Sequence, residues 1–295
     1  MKELVIISGK GGTGKTCVSA SFAKLCTDKK ILIDADVDAA NLHLIIEPSD
    51  SEENSYTSGV KAKIHKDKCS ECGLCIERCE FDAISDDYIV NDLDCEGCGV
   101  CHEFCPEKAV ELIPEESGKW FVSKTDLGTM VHARLNIGGE NSGLLINQLR
   151  KRAKEEAEKQ NVSIILTDGP PGTGCPATSA LTGADYSLIV AEPTLSGMHD
   201  MIKAKDLCDF LKVPVMIIVN KYDLNPEITE QIKDYAKKSN SLFMGKIPFD
   251  EDFPRAIMNK QAPVEYSNGP GSTILKEIFK DVMAIVNQEN QEARK

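Results

Sequence analysis

The chain has 295 residues, 41% of them hydrophobic and 27% charged, proportions that suit a globular protein with one large core and one small module. A net charge of −13 argues against a general nucleic-acid binder, which carries a basic footprint. No apolar run reaches the roughly eighteen residues of a membrane span, and Met1-Lys2-Glu3 leads straight into a strand without a signal-peptide pattern, so a cytoplasmic chain without membrane insertion is expected.

Leu4-Val-Ile-Ile7 reads as a buried strand, and Lys15 to Cys26 as a helix. Between them stands Ser8-Gly-Lys-Gly-Gly-Thr-Gly-Lys-Thr16. A glycine-rich turn between a strand and a helix is the context of a phosphate-binding loop. Gly11, Gly12 and Gly14 let the backbone turn so that its N–H groups, with that of Thr13, face a phosphate. Lys15 would reach the β- and γ-phosphates of a nucleotide, Thr16 would place its hydroxyl on Mg²⁺, and the helix N-terminus adds its dipole.

Ile31-Leu-Ile33 is a short strand ending in Asp34-Ala-Asp36-Val-Asp38. A carboxylate there can orient a water or hold Mg²⁺ through water, and Asp36 is the candidate; helix capping is the alternative. The polar run from Asp50 to Ser58 reads as a linker.

Of twelve cysteines, eight fall between Cys69 and Cys105. Cys69-x-x-Cys72-x-x-Cys75-x-x-x-Cys79 is repeated 26 residues on as Cys95-x-x-Cys98-x-x-Cys101-x-x-x-Cys105-Pro106. This is the bacterial two-cluster ferredoxin spacing, in which the fourth cysteine of each run ligates the other cluster. It assigns Cys69, Cys72, Cys75 and Cys105 to one 4Fe–4S cluster and Cys79, Cys95, Cys98 and Cys101 to a second. Zinc is the rival, since Cys-x-x-Cys pairs bind it too. Gly73, Gly97 and Gly99 suit close approach of the backbone to sulfur, and Glu80 stands where the second run has its proline. Ile64 to Leu112 holds 13 acidic and 4 basic side chains, a charge of −9 that suits a basic redox partner or plain solvation.

Beyond Pro114 an α/β pattern is expected. Its strands are Val162 to Leu166, Ser187 to Val190 and Val215 to Val219; its helices are Leu144 to Gln160, Met198 to Leu211, Pro226 to Ser239 and Thr273 to Val286. Short apolar strands alternating with helices mean βαβ units and a parallel sheet. The strand ending at Leu166-Thr-Asp168 has the Walker B form, with Asp168 a further Mg²⁺ candidate. The loop Gly169-Pro-Pro-Gly-Thr-Gly174 could sense a γ-phosphate. Cys17, Cys26 and Cys208 read as core thiols, Cys175 as a plain thiol, His199 as a surface or capping residue, and the tail from Asn287 to Lys295 as polar.

With its early second lysine, Lys10, the loop resembles the deviant Walker A signature of the MinD/ParA/nitrogenase-iron-protein superfamily of P-loop NTPases, the SIMIBI type. The resemblance implies an ATPase, a homodimer around two ATP molecules with Lys10 on the facing subunit's nucleotide, and a water-orienting role for Asp36. It also implies adenine contacts from Asn220 and from the segment at Pro248, although Asn220-Lys-Tyr-Asp223 has the form that reads guanine in GTPases. Segments at His132-Ala-Arg134 and Asn141-Ser-Gly143 resemble MinD-type ATPases with an inserted ferredoxin. The expected architecture is a mostly parallel α/β P-loop core in two parts, 1–58 and 115–295, with a small α+β ferredoxin-like insert at 59–114.

Three functions follow from the resemblance. The first is an ATP-gated electron-transfer or partner-switching protein that meets a redox partner. The second is an iron–sulfur assembly ATPase of Mrp type that meets a metalloprotein client, although no Cys-x-x-Cys pair follows Cys105. The third is a positioning ATPase of the ParA or MinD kind.

Overall fold

A computed structural model describes residues 1–136 and 141–292, so positions 293–295 of the polar tail lie outside the described residues. In chain order the elements are β1 (Lys2–Ser8), α1 (Lys15–Leu25), β2 (Lys30–Asp34), α2 (Leu42–Ile46) and β3 (Asp50–Ile64). Next come α3 (Leu74–Glu77), α4 (Val100–Glu103), β4 (Val110–Thr125), β5 (Gly128–Leu135), α5 (Ser142–Gln160) and β6 (Ile164–Pro171). Then follow α6 (Cys175–Leu181), β7 (Tyr186–Ala191), α7 (Leu195–Phe210), β8 (Val215–Asn220) and α8 (Pro226–Lys238). The chain closes with β9 (Leu242–Ile247), α9 (Asp252–Met258), α10 (Pro263–Tyr266) and α11 (Pro270–Glu292).

The strands form a sheet in the order β3-β4-β5-β2-β6-β1-β7-β8-β9. The pairs β5/β2, β2/β6, β6/β1, β1/β7, β7/β8 and β8/β9 are all parallel. Leu4 to Ile7 are fully buried because a central parallel strand is covered on both faces. From β1 the chain moves outward to β2 on one side and to β7 and β8 on the other. Such a reversal of strand order opens a crevice at the carboxyl edge of the sheet, where open α/β sheets bind ligands.

The chain divides into two compact units. Unit 1 comprises Met1–Glu53, Trp120–Arg134 and Ser142–Lys295. Its core brings Leu4, Ile6, Val18, Phe22, Leu32 and Leu188 together with helix α11 through Leu275, Ile278 and Val282. The expected last helix thus docks on the body of this unit. Beneath the sheet a buried ion pair fixes α5: Arg150 Nε and Nη2 donate to Glu3 Oε1 and Oε2 at 2.8 and 2.7 Å.

Unit 2 comprises Asn54–Lys119 and Leu135–Asn141. Its buried core is small, made of Ala62, Ala83, Cys95 and Val110 with Cys79, Cys101 and Cys105 packed against it. The helices α3 and α4 repeat the 26-residue period of the cysteine runs, each four residues long and each preceded by a left-handed glycine, Gly73 and Gly99.

Several elements differ from expectation. The expected linker 50–58 is strand, because β3 runs from Asp50 to Ile64. A polar segment stays extended where a neighbour supplies its hydrogen bonds, and β3 lies beside β4 in the sheet. The strands β4, β5 and β9 were not anticipated, since their apolar residues are interrupted by charge and glycine. Strand β6 continues past Asp168 to Pro171 rather than stopping at Leu166. Helix α7 starts at Leu195, three residues before the expected Met198, capped by the Thr194 hydroxyl that accepts from the Gly197 N–H at 2.9 Å.

Candidate functional site

The carboxyl ends of β1, β2, β6, β7 and β8 bring to one edge the loop 8–16, Asp34 and Asp36, Asp168, Glu192 and Asn220. Gly14 adopts a left-handed φ of 91°, and a Cβ there would lie 2.4 Å from the Asn220 amide. Glycine is therefore required by both conformation and space. Asn220 Nδ2 donates to the Thr13 carbonyl at 2.8 Å, which ties the end of β8 to the loop. The Thr13 hydroxyl is buried and makes no hydrogen bond. A buried polar atom left unpaired is costly in a loop already read as a ligand seat.

Lys15 is buried, and its ammonium lies 2.8 Å from Asp168 Oδ1 and 3.6 Å from Asp36 Oδ2. Burial works against its charge, but the carboxylates of Asp168 and Asp36 outweigh it and hold the ammonium above its usual range. Asp168 also accepts from Thr16 Oγ1 at 2.9 Å and from Ser19 Oγ at 2.6 Å. The predicted Mg²⁺ set of Thr16, Asp36 and Asp168 is thus gathered around one lysine. Asp34 is fully buried and clamps the following loop, accepting from the Asp36 N–H at 3.2 Å and the Leu42 N–H at 3.0 Å. Burial, with Asp168 beside it, pushes the Asp34 carboxyl well above the carboxylate range.

Lys10 pairs with Glu192 at 2.9 Å and donates to Thr194 Oγ1 at 3.2 Å. Pro248 follows β9, and the next residue's N–H, that of Phe249, donates to Asp223 Oδ1 at 2.6 Å. One oxygen of the Asp223 carboxylate is therefore engaged by backbone. Ser19, Glu192 and Lys221 were not singled out from sequence. A Ser one turn into a helix and a Glu after a strand carry no signal until the strand ends converge.

In unit 2 the cysteines gather in two groups that cross the sequence runs. Cys69, Cys72, Cys75 and Cys105 line one cavity together with Tyr88. Cys79, Cys95, Cys98 and Cys101 line another together with Phe81. Backbone N–H groups point at sulfur in the first: Glu71 donates to Cys69 Sγ at 3.4 Å and Ala109 to Cys105 Sγ at 3.2 Å. Gly97 has a φ of 63°, and a Cβ there would lie 2.0 Å from the Val60 carbonyl oxygen. All twelve cysteines are free thiols, and among the described residues no three His, Cys, Asp or Glu side chains converge on a point that would hold a single metal ion.

The remaining singled-out residues are dispersed. Cys17 and Cys208 are thiols pushed up to about 11, chiefly by burial. Cys26 is buried, whereas Cys175 is exposed at the start of α6 and His199 is exposed on α7. His132 stacks between His43 and Phe121, with ring centroids 5.7 and 5.0 Å away, and pairs with Ser123 Oγ at 2.9 Å. Asn141 Nδ2 donates to Ser58 Oγ at 2.7 Å within unit 2, while Ser142 and Gly143 open α5. No helix among the described residues is long and apolar enough to cross a membrane.

Residues 4–264 match the model of the CobQ/CobB/MinD/ParA nucleotide binding domain. An uncharacterized protein of Methanocaldococcus jannaschii is 33% identical over 289 residues, covering 96% of this chain and 97% of that one. The fold is similar to the Pyrococcus furiosus cell division ATPase MinD, with a TM-score of 0.60, 17% identity, and 96% of this chain and 99% of that chain covered. It is also similar to the septum site-determining protein MinD of Pyrococcus horikoshii complexed with Mg-ADP, with a TM-score of 0.59, 18% identity and 95% of each chain covered. The matched model, the whole-length relative and the loop cradled by Asn220 agree, and the chain belongs to the CobQ/CobB/MinD/ParA family of nucleotide-binding domains.

Proposed function

We propose that the chain binds and hydrolyses ATP in unit 1, holds two 4Fe–4S clusters in unit 2, and uses the nucleotide to gate electron transfer or the choice of partner. The observation that carries the nucleotide half is the gathering of Lys15, Thr16, Asp36 and Asp168 at the mouth of a phosphate-type loop. In this reading the loop N–H groups from Gly11 to Thr16 hold the β- and γ-phosphates, and Lys15 leaves Asp168 for the γ-phosphate. Thr16 and Asp168 serve Mg²⁺, the latter through water. Asp36 would orient the attacking water, the role the family resemblance implies for it, and its place 3.6 Å from the Lys15 ammonium suits a carboxylate beside the phosphate seat. Asn220 and the segment at Pro248 border the base, and the engagement of Asp223 by the Phe249 N–H favours adenine. Lys10 and the exposed carboxyl edge suit a homodimer around two ATP.

The cluster half rests on the crossed gathering of eight thiols about two cavities. Cys69, Cys72, Cys75 and Cys105 would hold one cluster, and Cys79, Cys95, Cys98 and Cys101 the other. Thiols spread around a cavity suit a body larger than one ion, which favours a cluster over zinc. The small core of unit 2 supports the same reading, since a unit with few buried apolar residues needs a staple. Bound clusters would supply one-electron chemistry. The chain's own part is to hold them by thiolate, to direct N–H groups at sulfur and to wall them with Tyr88 and Phe81. On this division the ferredoxin-like insert is 59–114, between ATPase parts 1–58 and 115–295.

Exposure of Cys72 and Cys98 favours a second reading, a carrier that yields its clusters to a metalloprotein client. An anaerobic redox titration with and without MgATP separates the two. A potential that moves with MgATP supports gating. An unmoved potential, with cluster loss to an apo-acceptor, overturns gating in favour of the carrier.

A further inference from the structure

Glu192 follows the last residue of β7, and its side chain is only 16% exposed. Its Oε2 lies 2.9 Å from Lys10 Nζ and its Oε1 3.0 Å from Lys221 Nζ. The two lysines reach it from different strand ends: Lys10 from the loop after β1, and Lys221 from the residue after β8, where φ is 57°. Lys221 Nζ also donates to the Gly12 carbonyl at 3.1 Å, so it lies against the phosphate loop itself. Lys10 Nζ is further held by Thr194 Oγ1 and, at 3.4 Å, by Ser196 Oγ. One carboxylate therefore neutralises part of a two-ammonium cluster at the mouth of the loop. Burial alone would push the Glu192 carboxyl up, but hydrogen bonds from Lys10 and Lys221 outweigh it and leave it below the usual carboxylate range.

We propose that Glu192 is a competing anion of the nucleotide site, one that occupies Lys10 and Lys221 at the loop mouth and that an incoming polyphosphate must displace. In the empty site it screens the two ammoniums from each other, and that pairing must be given up for phosphate on binding. The site then takes a polyanion at a cost set by Glu192, so the residue tunes affinity rather than chemistry. The inference rests on the phosphate seat of the proposed function, and Lys15→Ala tests that seat separately.

The experiment is calorimetric binding of a magnesium β,γ-imido triphosphate to the full chain at low and moderate salt. Glu192→Gln, which keeps shape but removes the charge, is expected to bind about tenfold tighter, with a steeper loss of affinity as salt rises. Glu192→Asp should remain near the wild type. Affinity unchanged or weakened in a Gln variant that melts like the wild type overturns the proposal. Should Glu192→Gln not fold, Lys221→Gln decides: it leaves Glu192 matched one to one with Lys10, so the loop mouth loses its surplus ammonium and binding should weaken about tenfold, and unchanged binding overturns the proposal. A wild-type chain that fails to bind the probe refutes the phosphate seat instead.

Discussion

Lys15 stands on Asp168, its ammonium 2.8 Å from Oδ1, while the same carboxylate takes the hydroxyls of Thr16 and Ser19. The group read as the phosphate-binding cation and the group read as serving Mg²⁺ thus hold each other. Either must turn to its ligand when a nucleotide and Mg²⁺ arrive. Lys15→Ala removes the cation and leaves Asp168 buried beside Asp34. Hydrolysis of ATP should fall about a hundred- to a thousandfold or more, while the visible absorbance expected from the clusters proposed for unit 2 is retained. A phosphate-release assay beside an absorption spectrum reads both, and persisting hydrolysis would remove Lys15 from the site.

Asp36 differs from Asp168 in being partly open and bound to Lys15 at the longer distance of 3.6 Å. Asp36→Asn keeps the shape but cannot orient water by accepting its proton. It should reduce turnover about a hundredfold and leave binding of MgATP within a few-fold of wild type. Parallel loss of binding and turnover would instead make Asp36 a structural residue.

For the crossed thiol sets, Cys72→Ser removes an exposed thiol from one set and touches none of the other. Iron content should fall by roughly half, with one cluster retained. Cys79→Ser should spare the first set although it lies in the same sequence run, which a pairing along each run would not allow. Iron per chain and electron paramagnetic resonance of the reduced protein distinguish these outcomes.

Arg150 is buried and uses four of its five N–H donors, with Glu3 on two nitrogens and the Ser179 and Thr182 carbonyls at 2.8 and 2.6 Å on a third. Arg150→Ala would leave Glu3 charged and largely unpaired in the interior. The expected cost is about 3–5 kcal/mol, a fall of roughly 10 °C in melting temperature, readable by differential scanning fluorimetry. A fall of only a degree or two would mean that Lys154, at 3.7 Å from Glu3, takes over the pairing.

His132 carries a pH dependence. Burial, with His43 beside it, depresses it from 6.5 to about 4, so the folded chain binds fewer protons than the unfolded one between those values. Its contribution to stability is complete above about 6.5 and is lost as pH falls through about 4. His43 is itself pushed below its ordinary value by burial and by the charge of Arg134, so the pair works in the same direction. His132→Gln should flatten the acid limb of melting temperature against pH, and an unchanged limb would assign the acid sensitivity to other groups.

The letters of the chain were enough to expect a parallel α/β core, because Leu4 to Ile7 and Val215 to Val219 are continuous apolar runs that only a sheet covered on both faces can bury. They were also enough to single out the loop 8–16 and the eight cysteines, since ligand spacing within a turn is a local property of the backbone. Strands β3 and β4 escaped because polar strands are stabilised by their neighbours rather than by their own residues. Glu192 and Lys221 escaped for a related reason. They stand 29 residues apart, and nothing in either segment announces the other until β7 and β8 lie side by side in register, Ser187 on Val215 and Ala191 on Val219. Short-range chemistry is written in spacing along the chain, whereas a salt bridge between two strand ends exists only once the sheet has ordered them.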